Sequence, residues 1–423
     1  MFKSKSKFLP FFMWFFPLSF FTYQFILRLW PGLMMHQIME QFSIDASRFG
    51  VLAALYYYGY SGMQIPVAIM LERFKVRYVV FAFSLLCGLA TLLFSYTNNW
   101  YLAGLSRFLV GAGSAVGFLA VSKVISQWFP KSKYAKMVGF SFTLGLLGAI
   151  YGGKPVSLLV ANYPWQNVAL ILALIAMLLG VGSYYFLRSP QQNNTKTDEP
   201  TTSFKASYFR TLLSSPTIWI LAVANLLMVG SLEGFADVWG VSYLTTAFEL
   251  DKSNAAQLVS FIFVGMLFGG PLLAFLSKYL GNYTVIAFCG VGMAFVFKLL
   301  LSTTTYNWYW LAALFFLIGL MCCYQVIVFA AGSDLVETKL LGVTIAFLNC
   351  INMLGGSFFH TLIGKAMDAT WGGALSEEGL RIYALESYKT ALLLIPGCAV
   401  VGSCLVGLIG FNLHRRQAHS LQA

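Results

Sequence analysis

The chain is expected to be an all-α membrane protein, with twelve transmembrane helices in two pseudo-symmetric six-helix bundles, and three observations carry that expectation. First, 59% of its 423 residues are hydrophobic, 17% aromatic and only 10% charged, where a soluble domain carries about 25% charged residues. Second, the apolar residues fall into long continuous runs. Runs of roughly 18 or more are read as spanning helices, because unpaired backbone groups cannot sit in a hydrocarbon core about 30 Å thick. A β-barrel would instead show alternating segments of about ten residues. Third, Phe42-Ser-Ile-Asp45-Ala-Ser47 recurs as Phe248-Glu-Leu-Asp251-Lys-Ser253, with Pro66 answered by Pro271 and Glu72-Arg73 by Ser277-Lys278. An offset of about 205 residues kept across separate landmarks marks an internal duplication.

Taken in order, the first run, Leu9 to Met34, follows a Lys-rich start. It is too long and aromatic for a cleaved signal peptide and has no small-residue cleavage site behind it, so it is expected to stay in the mature protein. The second, Ser47 to Leu71, ends on Glu72-Arg73; Tyr78 to Tyr96 and Tyr101 to Trp128 follow. The fourth run carries Gly111-Ala-Gly113-Ser114 and Gly117, and the fifth, Val138 to Val160, carries Gly145, Gly148, Gly152 and Gly153. Such small faces let helix backbones approach closely. Gln166 to Leu187 completes the first half. The second half reads Thr217 to Tyr243, Asn254 to Leu276, Tyr283 to Ser302, Trp308 to Ala331, Gly342 to Met367 and Tyr388 to Asn412. Gly355-Gly356 on the eleventh run sits 203 residues after Gly152-Gly153, which extends the duplication to that pair.

The polar stretch Gln191-Gln-Asn-Asn-Thr-Lys-Thr-Asp-Glu-Pro200 reads as part of a flexible linker. The expected organisation is therefore a six-helix bundle over 1–190, a cytoplasmic linker over 191–215 and a second bundle over 216–423. Asp368 to Ser387 is the other long polar segment, and neither is large enough for a soluble catalytic domain.

The net charge of +12 reflects topology and not a nucleic-acid footprint. With the N-terminus inside, the cytoplasmic segments collect Lys3, Lys5, Lys7, Arg73, Lys75, Arg77, Lys131, Lys133, Lys136, Arg188, Lys196, Lys205, Arg210, Lys278, Lys339, Arg415 and Arg416, against Arg48, Lys252, Arg381 and Lys389 in the opposite loops. The positive-inside rule then puts both termini in the cytoplasm. Cys87, Cys289, Cys322, Cys323, Cys350, Cys398 and Cys404 all fall within expected helices without metal-ligand spacing and are expected to pack as small apolar side chains. No metal or other cofactor is expected.

The run Gly59-Tyr-Ser-Gly62-Met-Gln-Ile-Pro66-Val-Ala-Ile-Met-Leu-Glu72-Arg73-Phe-Lys75-Val-Arg77 resembles the loop between helices 2 and 3 of the major facilitator superfamily. It departs from that pattern with Glu72 for Asp and Lys75 for the second Gly, and the copy after helix 8 has Ser277 where the acid would be. Arg107-Phe-Leu-Val-Gly111-Ala-Gly113-Ser114 on helix 4 is similar to the family's Arg followed by Gly-x-Gly. The helix 5 antiporter signature needs Gly-Pro, which Gly145-Leu-Leu-Gly148-Ala149 lacks. The resemblance implies the major facilitator fold, a transporter, and a gating role for Glu72 and Arg73, against a plain topogenic charge cluster. Tyr23 and Arg28 followed by Pro31-Gly32 resemble the organic-anion and organophosphate branches, and Tyr56-Tyr-Tyr-Gly59-Tyr60 is more loosely similar to the intraphagosomal amino-acid importers of bacteria.

Ionisable groups within the spans are functional candidates by default, because burying them in a helix bundle is costly. The first half contributes Arg28, Arg107, Lys123 and Lys154 and no acid; the second contributes Glu233, Asp237, Lys298 and Lys365. Arg28 could grip a carboxylate or phosphate by two parallel bonds. Glu233 falls within one residue of the position that the repeat assigns to Arg28. Three roles stay open for that pair. Glu233 could carry a proton in with an anion held by Arg28, it could bind the ammonium of an amino acid whose carboxylate Arg28 holds, or the two could form a structural salt bridge. Asp237 is a coupling or gate residue, Arg107 a second anion contact or a structural charge, and Lys123 an exit-path contact or a snorkelling lysine; Lys154, Lys298 and Lys365 read as snorkelling or packing residues. Tyr23, Tyr57 and Tyr60, with Asn349 and Asn352 sharing a face at i, i+3, are candidate substrate contacts or interhelical hydrogen bonds. His360 is a weak proton-relay candidate.

The composite expectation is a monomeric secondary transporter in a bacterial inner membrane. It would import a small anionic solute with a proton, with an amino-acid or peptide carrier and a siderophore or drug exporter as rivals. Neither a Walker-type loop nor converging nucleophile, base or metal ligands point to an ATPase or an enzyme.

Overall fold

In a computed structural model, residues 8–190, 212–337 and 340–420 are described, and they are helical apart from short connectors. The linker expected over 191–215 therefore falls, for 191–211, outside the described residues, as do Lys3, Lys5, Lys7, Lys196, Lys205, Arg210 and Lys339 of the cytoplasmic charge set. The long helices are α1 (Leu9–Leu33), α2 (Ala46–Arg73), α3 (Val76–Tyr96), α4 (Trp100–Trp128), α5 (Lys131–Asn162), α6 (Trp165–Phe186), α7 (Pro216–Phe248), α8 (Lys252–Leu280), α9 (Asn282–Ser302), α10 (Trp308–Asp334), α11 (Leu341–Ala369) and α12 (Leu385–Leu413). Among the described residues, eleven of these are long and apolar enough to cross a membrane. The one outside that set is α2. Its 28 residues reach about 42 Å, but Tyr56, Tyr57, Tyr58, Tyr60 and Gln64 dilute its apolar character.

Contacts gather the chain into two compact units, Met1–Ser43 with Leu55–Asp198, and Ile44–Ala54 with Glu199–Ala423. The first turns of α2 thus belong with the second unit and the remainder with the first.

The duplication is visible in the backbone as well as in the sequence. Ser43 and Glu249, the residues after Phe42 and Phe248, are the described non-glycine residues with positive φ, at 48° and 53°. Each ends a short helix, Met35–Phe42 or Gly240–Phe248, in the left-handed conformation that terminates helices. Two residues later an aspartate opens the next helix: Asp45 Oδ1 accepts the Arg48 N–H at 2.9 Å and Asp251 Oδ2 accepts the Asn254 N–H at 3.1 Å. The echo first seen as Phe-x-x-Asp is a helix stop followed by an N-cap. The Asn254 N–H holds the Asp251 carboxyl below its usual range. The caps of α4 and α10 repeat too, with Asn99 accepting from the Tyr101 N–H and Asn307 from the Trp310 N–H. Both helices then break at equivalent points, at Ala115 and Cys323.

Each unit is tightened by one crossing of the same design. A methyl group on Gly59 or Gly111 would collide with the carbonyl oxygen of Phe108 or Tyr56, and one on Gly265 or Gly319 with that of Phe316 or Ile262. α2 therefore meets α4, and α8 meets α10, backbone to backbone, as small-residue faces allow.

The structure corrects two sequence expectations. Gly148 lies against the Thr22 carbonyl, and Gly355 packs on Val229, which pairs Gly355 with Gly148 and not with Gly152. The partner of Gly152 in that register is Phe359. Its ring lies 2.6 Å from where a Gly230 methyl would stand, and its Cβ 3.0 Å from a Gly234 methyl, while Gly152 would meet Ile26 at 3.3 Å. The bulky residue has changed sides. Accordingly α7, expected as a continuous helix from Thr217 to Tyr243, is α-helical over Pro216–Met228 and π-helical over Gly230–Trp239. The wider turn and its glycines accommodate the Phe359 ring.

Two predictions test this frame. Gly111→Ala and Gly319→Ala should each lower stability by about 1–3 kcal/mol through overpacking, read as a lower melting temperature in detergent; Gly62→Ala and Gly270→Ala, which meet nothing within 4 Å, should leave it nearly unchanged. Asp251→Ala should cost about 1 kcal/mol as a lost N-cap. Because the Asp251 pKa is depressed in the folded state, that contribution is fully present above the ordinary carboxylate range and is lost below it, as pH falls through the folded-state value, so wild type and variant should melt alike at low pH.

Candidate functional site

Charge sorts by unit. Among the described residues, the fully buried Arg, Lys, Asp and Glu side chains are Arg28 and Arg107 in the first unit and Glu233 and Asp237 in the second. Lys298 and Lys365 are exposed and Lys123 and Lys154 half-buried, as suits side chains whose heads reach the interface.

In the first unit two guanidinium groups rest on neighbouring tyrosines of α2. The Arg107 carbon lies 5.1 Å from the Tyr56 ring centre, and the Arg28 carbon lies 6.0 Å from Tyr57 and 5.3 Å from Phe25. Ring faces attract cations most strongly where water is excluded, by about 2 kcal/mol. Arg107 Nη1 also donates to the Leu27 carbonyl at 3.1 Å, so it holds α1 at the residue before Arg28. The Tyr56 hydroxyl donates to Gln24 Oε1 at 2.9 Å, and its ring stacks on Tyr60 with centres 6.2 Å apart. The glycine crossing of α2 on α4 is what brings these rings under the arginines.

Arg28, Arg107, Tyr57 and Tyr60 are thus joined through Tyr56. The structure turns Tyr23 elsewhere: its hydroxyl donates to the Leu172 carbonyl on α6. Tyr56 is the residue that sequence reasoning passed over as a site member, although its i, i+4 spacing from Tyr60 places both on one helix face.

In the second unit, Glu233 and Asp237 both lie on the π-helical stretch of α7, 1% and 2% exposed. The Tyr324 hydroxyl, on α10, donates to the Asn225 carbonyl of α7 at 3.0 Å. Asn352 Nδ2 donates to Gln325 Oε1 at 3.3 Å, an interhelical bond from α11 to α10; Asn349, one turn earlier, is half-buried, and His360 is fully buried on the same helix. Glu72 and Arg73 are exposed at the end of α2, with Arg73 in the last turn, where a positive charge complements the helix dipole.

Structural equivalence refines the relation of Arg28 to Glu233. In the register of the crossings, caps and breaks, Arg28 corresponds to the stretch beginning at Gly234, one residue past Glu233. A step of one residue turns a side chain by about 100° around an α-helix, so the two charges share a level of their helices without holding equivalent positions. The same register sets Tyr56, Tyr57, Tyr60 and Arg107 against Ile262, Phe263, Met266 and Phe315. One frame carries a polar lining in the first copy and an apolar one in the second.

A family model described as Major Facilitator Superfamily matches residues 12–360. The chain belongs to the Major Facilitator Superfamily. As a member of that superfamily it is a multi-pass membrane transporter and not an enzyme. Its relatives include the uncharacterized transporter YybO of Bacillus subtilis, 24% identical over 80% of this chain and 83% of that one. The hexose-6-phosphate:phosphate antiporter of Salmonella typhimurium is 23% identical over 74% and 69%, and the probable sulfoacetate transporter SauU of Cupriavidus necator 23% identical over 58% and 60%. Among solved structures, a bacterial homologue of the human lysosomal transporter Spinster superposes with a TM-score of 0.74 at 16% identity, covering 96% of this chain and 97% of that one. The nucleoside transporter NupG superposes with 0.73 at 13%, covering 95% and 98%. At such identities these structures speak to the major facilitator fold alone.

Tyr56→Phe should keep the ring beneath Arg107 and leave the buried Gln24 amide short of a partner, lowering stability by about 1–3 kcal/mol in thermal melts. Tyr58→Phe, on the exposed side of the same helix, serves as the comparison and should be near neutral.

Proposed function

We propose that this superfamily member is a secondary active transporter that imports a small organic anion together with a proton across a bacterial inner membrane, working as a monomer. The observation that carries the reading is the pair of buried guanidinium groups, Arg28 and Arg107, on the tyrosines of α2. A buried cation is stable when an anion or a ring face meets it, and a guanidinium offers a carboxylate or phosphate two parallel bonds. Arg28 is the direct contact. Arg107, committed to the Leu27 carbonyl, holds the turn that presents it. The relatives support an anionic solute, since they include a probable sulfoacetate transporter, a hexuronate transporter and a hexose-6-phosphate:phosphate antiporter.

Glu233 and Asp237 supply the coupling. A buried carboxylate is least costly when it carries a proton, so uptake of a proton at α7 and of an anion at α1 lets the loaded carrier cross with its charges compensated. Tyr57, Tyr60, Asn349 and Asn352 complete the polar lining in this reading, and Glu72 and Arg73 act at the cytoplasmic end as gating residues. An amino-acid substrate would need Glu233 to hold an ammonium group, and the solute panel separates the two.

Two experiments follow. In a thermal-shift screen of the purified protein against organic acids, sugar phosphates and amino acids, an organic anion should raise the melting temperature, because a ligand bound to the native state stabilises it. Arg28→Ala should abolish the shift, and an equal shift in that variant would remove Arg28 from the site. In proteoliposomes, Glu233→Gln should no longer accumulate that anion when a pH difference is imposed, while still exchanging it down its own gradient.

A further inference from the structure

Between matching landmarks the second copy carries two more residues than the first. A methyl on Gly148 would meet the Thr22 carbonyl, and one on Gly355 would meet the Leu226 carbonyl at 3.0 Å. From these crossings to the left-handed stops after Phe42 and Phe248, the chain takes twenty steps in one unit and twenty-two in the other. On an α-helix each extra residue would turn everything beyond it by about 100°. The π-helical stretch Gly230–Trp239 takes up the excess, since i to i+5 bonding winds more residues into a turn. Its last bond runs from the Gly240 N–H to the Phe235 carbonyl, five residues back. The helix beyond, Gly240–Phe248, thereby keeps its seat and its stop. The change of direction is confined to the stretch itself, which carries Glu233 and Asp237.

The support for this wide turn lies on α11. The fully buried Phe359 places its ring against Gly230 and its Cβ against Gly234, and Ile363 Cδ1 lies 3.6 Å from where a Gly234 methyl would stand. Gly230 and Gly234 make one row along the helix, four residues apart, and Glu233 and Asp237 make the next at the same spacing. Seating the glycine row on a ring fixes the direction of the acid row. Phe235 also anchors the stretch, on Phe297 of α9 and Phe315 of α10 with ring centres 5.1 and 5.8 Å away. It lies past Glu233, however, whereas Phe359 touches a residue on each side of that acid in the chain. The first copy supplies the comparison. There the seat of Phe359 is taken by Gly152, and α1 is α-helical from Leu9 to Leu33.

We propose that Phe359 is the positioning residue for the acids of α7, filling the space over two glycines so that the turn stays wide and Glu233 and Asp237 keep one direction. Its part in transport rests on the coupling reading of those acids given above; its part in directing them does not. Without the ring the glycine row loses its support, and the wide turn can slide along α7 and carry both acids to new directions. A large aromatic core residue is thus a determinant of coupling without itself carrying charge.

The test labels buried carboxyl groups with dicyclohexylcarbodiimide in the full chain in lipid nanodiscs, with no solute or gradient, and locates the modified residues by peptide mass spectrometry. The ratio of labelling at Glu233 to that at Asp237 should change at least threefold in Phe359→Ala. It should stay nearer the native value in Phe359→Met, which keeps a long apolar side chain over the glycines. Gly319→Ala, whose methyl meets Ile262 on α8, loosens the same unit elsewhere and should leave the ratio unchanged. An unaltered pattern in Phe359→Ala, labelled or unlabelled, would overturn the inference, and so would an equal change in Gly319→Ala. In proteoliposomes Phe359→Ala should lose pH-driven accumulation at least tenfold more than it loses exchange. Accumulation lost in Glu233→Gln but kept in Phe359→Ala removes Phe359 from coupling. Accumulation kept in both, with the labelling altered, overturns the coupling reading and leaves the positioning role standing.

Discussion

Charge that enters a helix bundle in lipid has to be met by something, and this requirement organises the molecule. The first unit meets its two guanidinium groups with aromatic faces and a main-chain carbonyl, so they remain buried cations held on Tyr56 and Tyr57. The second unit buries Glu233 and Asp237, and places both on a widened helical turn. Among the described residues, the buried Arg side chains lie in the first unit and the buried Asp and Glu side chains in the second.

The frame beneath that chemistry is generic. Glycine crossings, asparagine caps, left-handed helix stops and mid-helix breaks recur in both units at matching places, and they fix where α2 and α8 lie on α4 and α10 whatever the neighbouring side chains are. On that frame Tyr56 and Ile262 occupy the same seat, as do Arg107 and Phe315. Small residues set the geometry, and large ones set the character of the lining.

Much of this was legible in the chain itself. Long apolar runs and the Phe42 to Phe248 echo were enough for the twelve-helix architecture, because hydrophobic length and duplication are written residue by residue. The segregation of Arg28 and Arg107 from Glu233 and Asp237 was legible for the same reason. The partners were not. That Tyr23 turns to α6, or that Tyr56 carries Arg107, depends on helix rotation, which a repeat known to within one residue leaves open by about 100°. The mistaken pairing of Gly152 with Gly355 has the same origin, since two glycine pairs a turn apart look alike in sequence, and only the packing of Phe359 distinguishes them. The π-helical stretch had no periodic signature, for it is a response to a ring on another helix.

The exchange of polar for apolar seats has a consequence for ancestry. A pair of first units would bury four arginines and no acid, and a pair of second units four acids and no arginine. Whatever symmetric dimer of half-length chains preceded this protein, its present division of labour cannot be rebuilt from two copies of either half. The division of charge therefore belongs to the single chain and to neither half alone.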